Sequence, residues 1–162
     1  MMEPILNGRK ILAVDDESDI LKVLEEEIAD ACPDCAFDTA ASFEAASDLL
    51  HTRSYDIVIL DIMGVRGFDL LDMAVSKKLK VVMLTTHALN PGALKKSYEM
   101  KARAYLPKDQ LGDIVPFLED VLTSDFQSGW ARLFEKLHSF FTGRFESDWE
   151  KKTGLTWRKW VK

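Results

Sequence analysis

Two cysteines, Cys32 and Cys35, and three histidines, His51, His87 and His138, are all that 162 residues offer for disulfide or soft-metal chemistry. One pair of sulfurs is no disulfide framework. A zinc site needs more ligands than that pair, and the scattered histidines do not supply them. Cys32-Pro-Asp-Cys35 has redox-motif spacing, but a reactive dithiol sits at a helix N-terminus, which lowers the thiol pKa. This pair follows a helical pattern and precedes a strand, so a structural role is expected. His138 reads as a surface or packing residue. Positive charge is in deficit. The 21 Lys and Arg against 27 Asp and Glu leave a net charge of −6, which does not suit a nucleic-acid binder. No apolar run approaches the roughly 18 residues of a membrane-crossing helix. The start of the chain is too short and polar for a secretory signal. A soluble, cytoplasmic protein is expected, with no internal repeat and no low-complexity segment.

What is present is an apolar fraction of 47%, enough for a packed core, and an uneven charge. Up to Leu122 there are 22 acidic against 13 basic residues; from Thr123 onward there are 5 against 8. An acidic body, 1–122, carries a mildly basic tail, 123–162. Short apolar runs alternate with amphipathic stretches along the body. Lys10–Asp15, Ala36–Thr39, Asp56–Asp61, Lys80–Leu84 and Ala104–Leu106 read as strands. Ser18–Ala31, Phe43–Arg53, Phe68–Lys78, a segment from Asn90-Pro91 to about Lys101, and Ile114–Leu122 read as helices. Ser42 and Asn90 are their caps, and Pro91 stands at a first helical position. Strands apolar throughout belong to a sheet covered on both faces, hence parallel. Right-handed crossovers make it a doubly wound α/β sheet, whose ligands sit beyond the carboxyl ends of the strands.

Those ends carry the chemistry. Asp15 and Asp16 close the first strand, with Glu17 next. Asp61 closes the third, Thr85 the fourth, and Lys108 follows the fifth. Taken alone, Asp15-Asp16 reads as a solvated cap, Lys108 as a surface lysine and Tyr105 as core. Gathered at one sheet edge, the carboxylates repel unless a cation lies among them. A hard divalent ion held by few protein oxygens, water and phosphate is the Mg²⁺ pattern. An aspartate can also accept a phosphoryl group, with Lys108 and the Thr85 hydroxyl on its oxygens.

Ile11-Leu-Ala-Val-Asp-Asp-Glu17, Tyr55-Asp-Ile-Val-Ile-Leu-Asp-Ile-Met63, Val81-Val-Met-Leu-Thr85 and Ala104-Tyr-Leu-Pro-Lys108 together resemble the receiver domains of bacterial two-component response regulators. The resemblance spans roughly residues 8 to 122. It implies a flavodoxin-like sheet of strand order 2-1-3-4-5. Asp61 would be the phosphoacceptor, with Lys108 and Thr85 as its catalytic partners. Mg²⁺ would be held by Asp16, Asp61 and the Met63 carbonyl, with Asp15 supporting it. Thr85 and Tyr105 would be the switch pair, and the phosphodonor a sensor histidine kinase or phosphotransfer protein. Such a phosphoprotein would be no enzyme beyond its own phosphoryl transfer and dephosphorylation, and its output would be protein contact without nucleic acid. The readings held against it are a phosphorylation-independent adaptor and a small phosphatase with Asp61 as nucleophile.

The family pattern is departed from in places. The loop Asp61-Ile-Met-Gly-Val-Arg-Gly67 is shorter than usual. Asp109 replaces the proline that commonly follows the lysine, often across a cis bond. Either the Lys108–Asp109 bond is trans and Lys108 is aimed differently, or a strained bond is retained. Lys101 stands where glycine is common, and Thr86 where a small residue is common. Met63 and His87 fall where the family lines its route for hydrolytic water, and an apolar Met63 would slow dephosphorylation.

The tail holds all four tryptophans and five of the nine phenylalanines. From Asp125 to about Lys152, Trp130, Leu133, Phe134, Leu137, Phe141 and Phe145 form one apolar helical stripe, widened by Phe140 and Trp149. Gly154 would end it before Trp157 and Trp160. Such a stripe needs cover: its own receiver, a second subunit or partner, or, least favoured, a membrane surface.

Overall fold

A computed structural model describes residues 5–85 and 91–133. Thr86, His87, the Asn90 cap, and the tail residues from Phe134 onward, including His138, Gly154, Trp157 and Trp160, lie outside the described residues. The expected architecture is present. The strands are β1 (Lys10–Val14), β2 (Ala36–Ala40), β3 (Ile57–Asp61), β4 (Lys80–Thr85) and β5 (Ala104–Pro107). All neighbours pair in parallel, in the order β2-β1-β3-β4-β5. The helices α1 (Ser18–Ala31), α2 (Phe43–Thr52), α3 (Gly67–Ser76), α4 (Pro91–Glu99) and α5 (Ile114–Thr123) alternate with them.

Every residue of β3 is buried, as the unbroken apolar run requires of a strand covered on both faces. The Ser42 hydroxyl caps α2, accepting from the Ala45 N–H at 3.1 Å. Cys32 is buried and Cys35 half-buried; both are free thiols. The Cys35 thiol donates to the Leu6 carbonyl. Burial and the Cys32 thiol beside it push Cys35 up to about 12, the reverse of redox activation.

Two helices end two residues short of the sequence expectation for one reason. α3 stops at Ser76 and not Lys78, because Lys78 turns left-handed, φ 64°. The Lys78 N–H then reaches the Val75 carbonyl and the Leu79 N–H the Ala74 carbonyl. The end of α4 repeats the device with Lys101, φ 74°, where Lys101 N–H bonds to Tyr98 and Ala102 N–H to Ser97. This motif usually signals itself with glycine, and here lysine carries it at a cost of about 1 kcal/mol. The sequence also gave no sign of the 3₁₀ segment Lys108–Asp113 between β5 and α5.

The tail's first helical residues, 126–133, fold back on the body. Trp130 is fully buried, and its indole N–H donates to the Ala102 carbonyl at 2.8 Å. Tyr98 meets it edge-on, with ring centroids 5.3 Å apart. Phe126 packs on Tyr98 and lies under the Lys101 ammonium. The elbow is pinned by Lys80 and Arg103, which donate to the Leu122 and Ser124 carbonyls at the end of α5, and by the Arg132–Asp120 ion pair. Cations on the last carbonyls of a helix are where its dipole favours them. Trp130→Phe keeps most of the buried area but strands the Ala102 carbonyl. A loss of about 1–2 kcal/mol is expected from the urea-unfolding midpoint.

Candidate functional site

The strand register brings the singled-out residues to one edge. Val14 pairs with Leu60, Asp61 with Leu84, and Thr85 with Pro107, so Asp15, Asp61, Thr85 and Lys108 emerge beside one another. The Asp15 N–H adds one more bond to the β2 side, reaching the Ala40 carbonyl at 3.1 Å. Its carboxylate accepts from the Glu17 N–H at 2.8 Å. Asp15, Asp61, Thr85 and Lys108 are all buried.

Lys108 joins them. Its ammonium lies 2.8 Å from Asp15 Oδ2, 3.2 Å from Asp61 Oδ1 and 3.3 Å from Glu17 Oε2. The Lys108–Asp109 bond is trans, as are all peptide bonds among the described residues. Of the two expected alternatives the trans bond is the one present, and the Lys108 ammonium reaches the acidic cluster with it. The backbone leaves β5 directly into the 3₁₀ segment, and that turn delivers the ammonium between the two aspartates.

Asp15, Asp16 and Asp61 each offer a carboxylate oxygen within 4.8 Å of the others. Burial, then the Asp15 charge, push the Asp61 carboxyl up to about 6, with Lys108 pulling the other way. Burial also raises Asp15, against the Lys108 and Glu17 hydrogen bonds. Burial opposes the charge on Lys108, but the Asp15 hydrogen bond and the Asp61 charge hold its pKa above the usual value. One ammonium thus serves the buried carboxylates of Asp15 and Asp61 and the exposed one of Glu17, with the exposed Asp16 beside them in the acidic cluster, and one positive charge does not neutralise them. The cluster suits a divalent cation with oxygen ligands.

The loop after Asp61 is shaped for close approach. Gly64 sits at φ 86°, and a Cβ there would overlap the Asp16 carboxylate. That contact brings the Met63–Gly64 peptide beside the acidic cluster, while the Met63 side chain is 69% exposed. A Cβ at Gly67 would collide with the Asp61 carbonyl. The sequence marked both glycines only as loop punctuation. Arg66, left-handed at φ 55°, starts α3 between them. Tyr105 lies one strand over, wholly buried within β5. Glu17 was the residue that sequence reasoning passed over: it stood in the motif, but nothing in its spacing marked it as a partner of Lys108.

The sequence of residues 11–116 matches the family model described as the response regulator receiver domain. The chain belongs to that family. Solved receivers share its fold. A response regulator from Chloroflexus aurantiacus J-10-fl superposes with a TM-score of 0.64 at 24% identity, over 73% of this chain and 100% of that one. The phosphorylated cyanobacterial phytochrome response regulator RcpA gives 0.62 at 22% identity, over 72% of this chain and 95% of that one. The Mn²⁺-bound form of response regulator Rcp1 gives 0.61 at 22%, over 72% and 97%. No curated protein matches the sequence. At such identities the solved structures speak for the fold, and the family match for the class: a two-component signalling domain rather than a classical enzyme. Receiver domains in general interact with histidine kinases or phosphotransfer proteins. No helix among the described residues is long and apolar enough to cross a membrane.

Proposed function

We propose that this receiver takes a phosphoryl group onto Asp61 from the phosphohistidine of a sensor kinase or phosphotransfer protein, with Mg²⁺, and signals in the cytoplasm through protein contacts. The observation that carries the reading is the single Lys108 ammonium placed between the buried carboxylates of Asp15 and Asp61.

Asp16, Asp61 and the Met63 carbonyl would hold the cation, with Asp15 supporting it, and Gly64 leaves room for the loop to close over Asp16. Bound there, the ion supplies positive charge to the carboxylates and to phosphoryl oxygens. The protein's own groups do the rest. An Asp61 oxygen attacks phosphorus, the P–O bond forms, and the P–N bond to the donor imidazole breaks, its electron pair staying on nitrogen. Lys108, already beside Asp61, exchanges a carboxylate for a phosphoryl oxygen. The Thr85 hydroxyl takes another oxygen, and Tyr105, buried two residues before the β5 end, responds to the Thr85 movement.

That response reaches the face of α4, β5 and α5, where Trp130 holds the Ala102 carbonyl at the entry to β5. The tail, 123–162, is then an appendage to a receiver of residues 1–122. Its anchored first turns favour docking on its own body, and the aromatic stripe that the sequence predicts for its later residues would serve a second copy or a partner. The full chain with Mg²⁺ and acetyl phosphate should gain one phosphoryl group per chain by intact mass, and Asp61→Asn none. Steady release of phosphate from a phosphomonoester would favour a phosphatase; no mass gain would favour an adaptor.

A further inference from the structure

Lys108 has three N–H donors and three carboxylate partners, and these partners differ in one respect. The Asp15 and Asp61 side chains are 0% and 3% exposed, whereas Glu17 is 52% exposed. The first two are locked by packing. Glu17 reaches in from the rim, from the residue preceding α1, and its own N–H binds the Asp15 carboxylate. It is held at its base and open to water at its tip.

We infer that Glu17 is a positioning residue that holds the outward side of the Lys108 ammonium and opposes the approach of an anionic phosphodonor until it lets go. The inference rests on the receiver reading above. A phosphoryl group arriving at Asp61 needs an N–H from Lys108. Asp15 cannot leave without stranding a buried charge, so Glu17 is the partner that gives way. Its carboxylate also places a negative charge at the mouth of the site, on the side a donor dianion must pass. Uptake of phosphoryl groups should therefore be limited in part by a surface ion pair, and so depend on salt.

The test is the rate of phosphorylation of the full chain with Mg²⁺, using acetyl phosphate and, as a less negative donor, phosphoramidate. Glu17→Gln should take phosphoryl from acetyl phosphate about three- to tenfold faster at low ionic strength, the size expected when one charge is removed from a focusing site. The gain should shrink with phosphoramidate and near 1 M salt, where charges are screened within about 3 Å. Glu17→Asp, which keeps the charge, should stay near wild type. A Glu17→Gln rate equal to or below wild type with acetyl phosphate, or an equal gain with both donors, overturns the inference while leaving the receiver intact. A wild-type chain that takes no phosphoryl group from either donor overturns the receiver reading itself, and the inference with it.

Discussion

Asp61→Asn is expected to stabilise the metal-free protein by about 2–3 kcal/mol near pH 7.5, while abolishing phosphoryl uptake. The sign follows from where the proton goes. Asp61 ionises near pH 3.8 when free and at about 6 in the fold, chiefly because burial and then the Asp15 charge disfavour its anion. Between those values the native state holds a proton that the unfolded chain has lost. Stability therefore falls as pH rises through this window and levels off above it, the reverse of an aspartate with a depressed pKa. Below about pH 4 both states are protonated, and the variant should gain nothing. Mg²⁺ should narrow the gap from the wild-type side, since a cation bound at a hundred times its Kd stabilises by about 2.7 kcal/mol. Urea titrations at several pH values, in EDTA and in Mg²⁺, read all three effects. A variant no more stable than wild type at pH 7.5 in EDTA would mean that Asp61 is not strained by its neighbours.

The same crowding explains which parts of the molecule could be read in the sequence. Strands β1, β3 and β4 announce themselves because a strand covered on both faces must be apolar along its length, and Asp15, Asp61 and Thr85 are conspicuous where those runs stop. Lys108 was legible only because Tyr105-Leu106-Pro107 led to it. Nothing local distinguishes it from the exposed Lys77 or Lys95; its burial is a property of the assembled edge. The helix ends at Lys78 and Lys101 were hidden because lysine adopts the left-handed turn that glycine normally advertises, and packing elsewhere offsets the local penalty. Glu17 was hidden for a different reason. An exposed glutamate before a helix is ordinary, and only the arrival of Lys108 from 91 residues away gives it a role. Trp130 was legible as an apolar residue needing cover, but which surface would cover it was not, because the Ala102 carbonyl it binds belongs to a turn with no apolar signature.

Lys108→Met is expected to be the most damaging single change at this edge. It preserves length and apolar stem, so packing alone should cost little. The loss is electrostatic: the buried Asp15 and Asp61 carboxylates would share the edge with no counter-charge, and breaking a buried pair from one side costs about 3–5 kcal/mol. Two conditions should restore much of it. Lowering the pH lets Asp61 take up a proton, which relieves the repulsion, and without the Lys108 charge that pulls its pKa down it should do so at a higher pH than in the intact protein. Mg²⁺ replaces the missing positive charge, and it should bind the variant more tightly than wild type because the ammonium no longer opposes its entry. In Asp61→Asn the same lysine substitution should cost less, since one of the two carboxylates it serves is gone, and the difference between the two costs measures their coupling. Rescue by Mg²⁺ of folding, without rescue of phosphoryl uptake, is the pattern expected if the ammonium has two duties, holding the resting carboxylates apart and then meeting the incoming phosphoryl oxygen. A Lys108→Met protein as stable as wild type in EDTA at pH 7.5 would show that the carboxylates manage their repulsion without it.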